Sequence, residues 1–334
     1  MNGIIPKLGE IFVLGKIKFG VFLPFYAFRK EKKSHLFNRL QDVVLECEQL
    51  GYSSVWLDDH LMINKLPILE CWTALSALSQ VTETIRLGTM VTCNNFRNPA
   101  LLAKMAATVD NITNGRLELG IGAGIQSNEH DAYGFSFNSI KVRIERLNEA
   151  VEIIKKLWTE KKISYNGKHY IIKDAICKPK PVQNPHPPII IGGGGEKLMS
   201  KLTAKYADRY DWGYLPSSEL YLHKLKILEN NCSAIGRPFD DIEKSCWPVG
   251  QIFIGKDKKD LKEMVPQWVP EGVKVKDFLA TNFVGTPEDY LKQIRFYINL
   301  GVTHFMLFFA DTPNLEGLKI FAENVVKKCR YPVV

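Results

Sequence analysis

Residues Ile85–Gly124 read IRLGTMVTCNNFRNPALLAKMAATVDNITNGRLELGIGAG. Arg86 to Cys93 is short, apolar and β-branched, which predicts a buried strand. Asn98-Pro99 sets a helix N-cap before proline at the first helical position, where the missing N–H costs nothing. Leu101, Leu102, Met105 and Val109 then recur at helical spacing, and Asn114-Gly115 punctuates the end. Arg116 to Ile121 is a second apolar strand, running into Gly120-Ile121-Gly122-Ala123-Gly124. A strand, a helix and a second strand in this order require a parallel sheet. Glycines at the end of such a strand serve either a tight turn or the close approach of backbone to a ligand. The dinucleotide fingerprint GxGxxG is not met, since it needs glycine or alanine at Ile125, or at Ser127 if counted from Gly122.

The same alternation extends both ways along the chain. Ile17 to Leu23 and Ser53 to Leu57 read as strands, with a helix on Leu36, Leu40, Val43, Val44 and Cys47 between them. Helices are predicted over 70–81 and 140–158. Residues 161–188 interrupt the pattern as an insertion: a hairpin with a type I′ turn at Asn166-Gly167, then a proline-rich connector. Pro188 to Ile191 is a strand feeding Gly192-Gly193-Gly194-Gly195, and a helix containing Leu198, Leu202 and Ala207 follows. Strands are predicted at 212–215, 246–254 and 302–309, with helices over 220–235, 287–300 and 315–328. Residues 264–282 read as an irregular second insertion. About eight strands in this order fit one (β/α)8 barrel spanning 17–334, with residues 1–16 as an N-terminal extension. A doubly wound open sheet is the alternative, and the lack of a halfway break favours the barrel.

The chain has 334 residues, 46% of them hydrophobic, enough for a sizeable core. The net charge of +8 is spread along the chain in short runs, which reads as solvated faces rather than a nucleic-acid surface. Positive charge does favour an anionic ligand such as a phosphate-bearing cofactor. Seven scattered cysteines without CxxC or zinc-ligand spacing predict reduced thiols, a cytoplasmic protein and no metal site. Lys7, Glu10 and Lys16 break up the mildly apolar N-terminus, so no signal peptide or membrane span is expected.

Barrel chemistry gathers at the C-terminal ends of strands. There Asp59-His60 follows the second strand. A carboxylate beside an imidazole suits a proton shuttle near neutral pH, though a histidine can also merely cap a loop. Asp58 adds another acid. Four consecutive glycines, Gly192 to Gly195, are costly in chain entropy for a mere connector, which favours phosphate binding by their amides and the following helix.

The run Leu87–Gly124 also resembles the luciferase-like superfamily, above all its branch of oxidoreductases that use the deazaflavin coenzyme F420. The resemblance implies a (β/α)8 barrel and hydride transfer between F420 and a small organic substrate. It implies catalysis by Asp59 and His60, with His60 handling a proton and Asp59 orienting it. It places a bulge with a non-proline cis peptide at Thr89-Met90-Val91, behind the central ring of the cofactor. It assigns Gly122, Gly124 and Asn128 to the cofactor's surroundings and Gly192, Gly193, Gly194 and Gly195 to its phosphate. A homodimer is expected, as family members commonly pair. The chain departs from family patterns in three places. Ile125 and Asn64 stand where the sugar-phosphate dehydrogenases have glutamate and tryptophan, and Val21-Phe22-Leu23 lacks the glutamate of methylenetetrahydromethanopterin reductase. Two alternatives follow: an FMN-dependent monooxygenase fed by a partner flavin reductase, or a flavin-binding homologue without turnover.

Overall fold

The structure, a computed structural model, describes residues 17–29, 32 and 35–330. The predicted N-terminal extension and most of the basic loop at 28–34 lie outside the described residues. The first half runs β1 (Lys18–Phe22), α1 (Leu36–Gln49), β2 (Ser54–Leu57), α2 (Cys71–Ser79), β3 (Arg86–Thr89), β4 (Thr92–Cys93), α3 (Pro99–Ile112) and β5 (Leu117–Gly122). A short α4 (Ser127–Ala132) and the long α5 (Ile140–Thr159) follow, then the hairpin of β6 (Ile163–Asn166) and β7 (Ile171–Ala175). The second half runs β8 (Ile189–Gly192), α6 (Met199–Tyr206), β9 (Arg209–Asp211), α7 (Ser218–Ala234), β10 (Ser245–Cys246) and β11 (Phe253–Ile254). It continues with α8 (Lys258–Trp268), α9 (Val275–Thr281), β12 (Val284–Gly285), α10 (Pro287–Asn299), β13 (His304–Leu307) and α11 (Glu316–Phe321). After a π-helical turn at Ala322–Val326, α12 (Lys327–Arg330) ends the described chain.

Among the described residues, β10, β13, β1, β2, β3 with β4, β5, β8 and β9 pair in parallel in that order, which leaves a seam only between β9 and β10. The seam between β9 and β10 is bridged at Arg209 and Glu243, whose N–H donates to Asp208 O at 2.8 Å. The eight-stranded parallel barrel predicted from the alternation is therefore observed. All seven cysteines are buried and unpaired. Among the described residues no helix is long and apolar enough to cross a membrane.

The barrel interior is filled from β2. Trp56 is fully buried and packs with Ile190 and Met306. Glycines on both neighbouring strands make room: a Cβ on Gly20 would come within 2.6 Å of the Trp56 indole nitrogen, and one on Gly88 within 2.3 Å of its ring. Below this layer, Glu118 of β5 accepts from Arg86 at 2.5 Å and from Arg209 at 2.7 Å. Arg209 also reaches Glu243 at 3.2 Å and His304 Nδ1 at 2.9 Å. Burial drives His304 well below the usual histidine range, with Arg209 adding to it, so its neutral ring accepts from the guanidinium.

Four local expectations are corrected. The strand expected at 212–215 lies at Arg209–Asp211. Its ends are buried charges, which a search for apolar runs passes over. The single strand expected at 246–254 is two short pieces, β10 and β11, because Pro248 between them cannot donate to a ladder. Residues 264–282 are not irregular: α8 and α9 cover most of them, with Val265 and Phe278 as their buried residues, too few to mark a helical period. The hairpin turn is not type I′, since neither Asn166 nor Gly167 has the positive φ that type requires. Instead Glu149 accepts from the N–H groups of Lys168, His169 and Tyr170, at 2.9, 3.0 and 3.1 Å.

Gly88→Ala is expected to force the Trp56 ring aside and lower stability by about 1–3 kcal/mol in urea unfolding. An unchanged midpoint would show that the barrel interior has slack at this layer.

Candidate active site

The C-terminal ends of the strands enclose a cavity of about 340 Å3, within the range of small-molecule sites. His60, which follows β2, lines it. His60 Nδ1 lies 2.9 Å from Glu129 Oε1 of α4. Glu129 is buried, and its other oxygen accepts from Leu61 N–H at 2.9 Å. A carboxylate accepting at Nδ1 fixes the hydrogen there and leaves the Nε2 lone pair free for a ligand's proton.

Asp59 does not play the part expected of it toward His60. Its carboxylate is gripped by Arg97, with bonds of 2.5 and 2.9 Å, and accepts from Cys93 N–H at 2.9 Å. Burial raises its pKa and Arg97 pulls it back. The correction has a simple cause. A buried carboxylate needs a full partner, and the guanidinium fork offers a better one than the neighbouring imidazole. Asp58 turns toward β1, where Phe25 N–H donates to its Oδ1 at 2.8 Å, while its Oδ2 is buried without a partner.

One wall of the cavity is the turn between β3 and β4. Gly88 pairs with Glu118 but Thr92 with Ile121, so four steps on one strand span three on the other. The extra residue is a bulge. The Met90-Val91 peptide bond within it is cis, at the position expected from the resemblance. Three glycines press around it. A Cβ on Gly120 would sit 1.9 Å from Thr89 O, and Cβ atoms on Gly122 or Gly192 would sit 2.7 Å from Val91 methyls. The backbone thus forms a shallow shelf with Val91 at its centre.

The facing wall is aromatic. Phe22 of β1 and Trp247 meet edge to face at 5.4 Å. Trp247 Nε1 donates to Asp211 Oδ2 at 2.8 Å, which fixes the indole. Ile125, 79% exposed, stands at the mouth. Cys93 also lines the cavity, but burial pushes its thiol up to about 12, so it is not a nucleophile at neutral pH.

Of the residues singled out from the sequence, Asp59, His60, Met90, Val91, Gly122, Gly124, Gly192 and Gly193 line this one cavity. Thr89 lies behind the wall and donates to Gly120 O at 2.7 Å. Asn128 is exposed on α4, and Gly194 and Gly195 continue outward from the rim. Sequence reasoning missed Glu129, Arg97, Asp211 and Trp247. Glu129 and His60 are 69 residues apart, and no local pattern ties them.

The family model of luciferase-like monooxygenases matches residues 17–280. The chain belongs to that family. An F420-dependent glucose-6-phosphate dehydrogenase of Nocardia farcinica is 33% identical over 87% of this chain and 94% of its own length. The corresponding enzyme of Amycolatopsis mediterranei is 26% identical over 87% and 94%. Among solved structures, an F420-dependent secondary alcohol dehydrogenase in complex with an F420–acetone adduct is 23% identical. It aligns with a TM-score of 0.75 over 93% of this chain and 98% of its own. A long-chain alkane monooxygenase aligns with a TM-score of 0.79 at 14% identity, over 96% and 93%. These structures share the barrel of this family member.

Burial raises the Asp58 carboxyl to about 6, with Phe25 N–H and His60 pulling it back. The folded state therefore holds this proton more tightly than the unfolded chain, whose carboxyl titrates near about 3.9. The resulting stability is fully present below about pH 4 and lost as pH rises through about 6. Asp58→Asn should gain on the wild type by on the order of 2–3 kcal/mol in unfolding free energy between pH 4 and pH 7. A difference that stays flat across that window would show that the unpaired oxygen is solvated.

Proposed function

We propose that this chain is a coenzyme F420-dependent oxidoreductase that moves a hydride between the deazaflavin and an uncharged alcohol or carbonyl compound. The observation that carries the reading is His60, held by Glu129 at Nδ1 and lining the same cavity as the Val91 shelf. The curated relatives named above, F420-dependent dehydrogenases matching along most of the chain, support the choice of cofactor.

The residues present fit such a cofactor. A flat ring needs a backbone surface without side chains, and the glycines pressed against Val91 leave one. Gly193, with φ of +125°, takes a conformation natural only to glycine and opens the path toward Gly194 and Gly195. Lys224 Nζ donates to Gly194 O at 2.5 Å, which puts a cation beside that loop, where the cofactor's phosphate would lie. The deazaflavin, when bound, supplies the hydride chemistry. His60 Nε2 takes the hydroxyl proton as an alcohol is oxidised and returns it in the reverse direction. Glu129 holds the imidazole in the tautomer this requires and stabilises its protonated form. The aromatic wall of Phe22 and Trp247 excludes water from the reacting centre.

The lining also speaks for an uncharged substrate. Among the described residues it carries Asp59, Glu129, Asp211 and His60, and neither lysine nor arginine. Arg97 is committed to Asp59 and Glu70. A phosphate placed here would face carboxylates without a counter-charge.

His60→Ala is expected to lower kcat by on the order of 100-fold or more, with F420 affinity by fluorescence within a few-fold of wild type. Glu129→Gln should lower kcat less than His60→Ala does, since the amide can still hold the ring but cannot stabilise the imidazolium. Unchanged turnover in His60→Ala would take the residue out of the mechanism.

Fluorescence titration should show F420 binding at micromolar or lower concentration and FMN binding much more weakly. With F420 bound, small secondary alcohols should be turned over and glucose 6-phosphate should not. The opposite affinities would favour the flavin monooxygenase, and turnover of the sugar phosphate would overturn the uncharged substrate.

A further inference from the structure

Proton transfer at the active site uses one atom, His60 Nε2, which bonds to no group among the described residues. The carboxylates around it are already engaged. Asp59 is held by Arg97 and Cys93 N–H, and Glu129 by His60 and Leu61 N–H. Asp211 accepts from Trp247 and from Gly213 N–H at 2.8 Å. The rest of the side-chain lining is largely apolar: Phe22, Met90, Val91, Ile125, Trp212 and Trp247. Trp212 is fixed by stacking on the Tyr210 ring at 4.1 Å. A substrate hydroxyl therefore finds one matched acceptor in an otherwise apolar setting. A second hydroxyl would lose its water and find no free carboxylate or imidazole.

Ile125 stands where this surface reaches solvent. It is 79% exposed, more than any other large hydrophobic side chain among the described residues, and it still lines the cavity. The backbone puts it there. Gly124, with φ of +77°, lies against Cys93, where a Cβ would come within 2.8 Å of the sulfur. The chain then turns outward through Ile125, and α4 opens at Ser127 with Glu129 reaching back to His60. Tyr133, at the end of the same helix, donates its hydroxyl to Leu61 O at 3.2 Å, and Leu61 follows His60. Apolar residues thus flank Glu129 along the chain and come directly after His60. An isoleucine this exposed contributes nothing to the core, and it gains only what a bound apolar group covers.

We propose that Ile125 determines specificity by receiving the hydrocarbon chain of the substrate, which makes the substrate class alcohols or ketones with a single polar group and an unbranched apolar chain. The inference rests on the F420 reading above and narrows it. The hydroxyl or carbonyl oxygen sits at His60 Nε2, and the chain runs from there to the mouth over Ile125. Each methylene that covers apolar surface tightens binding by a similar factor, so preference grows with chain length.

The test is a chain-length series. The intact protein with F420 is assayed against 2-propanol, 2-butanol, 2-pentanol and 2-hexanol by loss of F420 absorbance. In the wild type kcat/KM is expected to rise about fourfold per added methylene, mostly through KM. Ile125→Ser should lower the kcat/KM ratio of 2-hexanol to 2-propanol by about tenfold, and Ile125→Leu should keep that ratio within about twofold of wild type. A flat series in the wild type, or an unchanged ratio in Ile125→Ser, would overturn the role of Ile125 and leave the F420 reading standing, because turnover itself is seen. No turnover of any of these alcohols, nor of the matching ketones with reduced F420, would overturn the alcohol dehydrogenase reading and this inference with it.

Discussion

The buried pairing of Asp59 with Arg97 is the constraint on which the active site depends. An ionised carboxylate this far from water is tolerated only with a matched partner, and the guanidinium fork provides it. Arg97 extends to Glu70, whose carboxylate caps α2 through Thr73 N–H at 2.7 Å. Asp59 also takes the N–H of Cys93. One chain of charges thus ties the end of β2 to β4, to the approach to α3 and to the start of α2. The backbone at Asp59 has little freedom left. His60 is held on the cavity side, where Glu129 completes it.

The two ends of the barrel divide the work. At the N-terminal end, Glu118, Arg209, Arg86, Glu243 and His304 make a buried network that joins four strands. Arg209 lies against the Trp56 ring at 4.8 Å, so the network and the apolar filling brace each other. Such a layer serves stability and faces no ligand. At the other end the strands stop in glycines, a bulge and loops, and polar groups are turned inward to a cavity. This division is the usual one for the fold.

The polar groups of the active site are acids, a histidine and an indole N–H, and its apolar groups are mostly aromatic or aliphatic. That chemistry suits proton transfer and the shelter of a small uncharged molecule. The relatives of known substrate include enzymes for a sugar phosphate, and a solved structure of the same fold is an alcohol dehydrogenase. Fold leaves that choice open. Positive charge is present on this protein, but it gathers outside the cavity: Lys224 at the glycine loop and the lysines between α5 and α6.

Much of this protein is legible in its sequence, because the governing effects are local. The strand–helix–strand unit at 85–124, the Asn98-Pro99 helix start and the glycine-ended strands follow from hydrophobic period, capping and backbone freedom. Those features determine a parallel α/β barrel and point to the strand ends as the site. The bulge at Met90-Val91 was reached by family resemblance, since period alone shows only an unbroken strand. Tertiary structure decided the rest. Glu129 finds His60, and Arg97 takes Asp59, across 69 and 38 residues. Strand β9 hides in the sequence because its charges are buried by distant partners. Which acid serves a histidine depends on who meets whom in space, and pairings between charges carry no period along the chain.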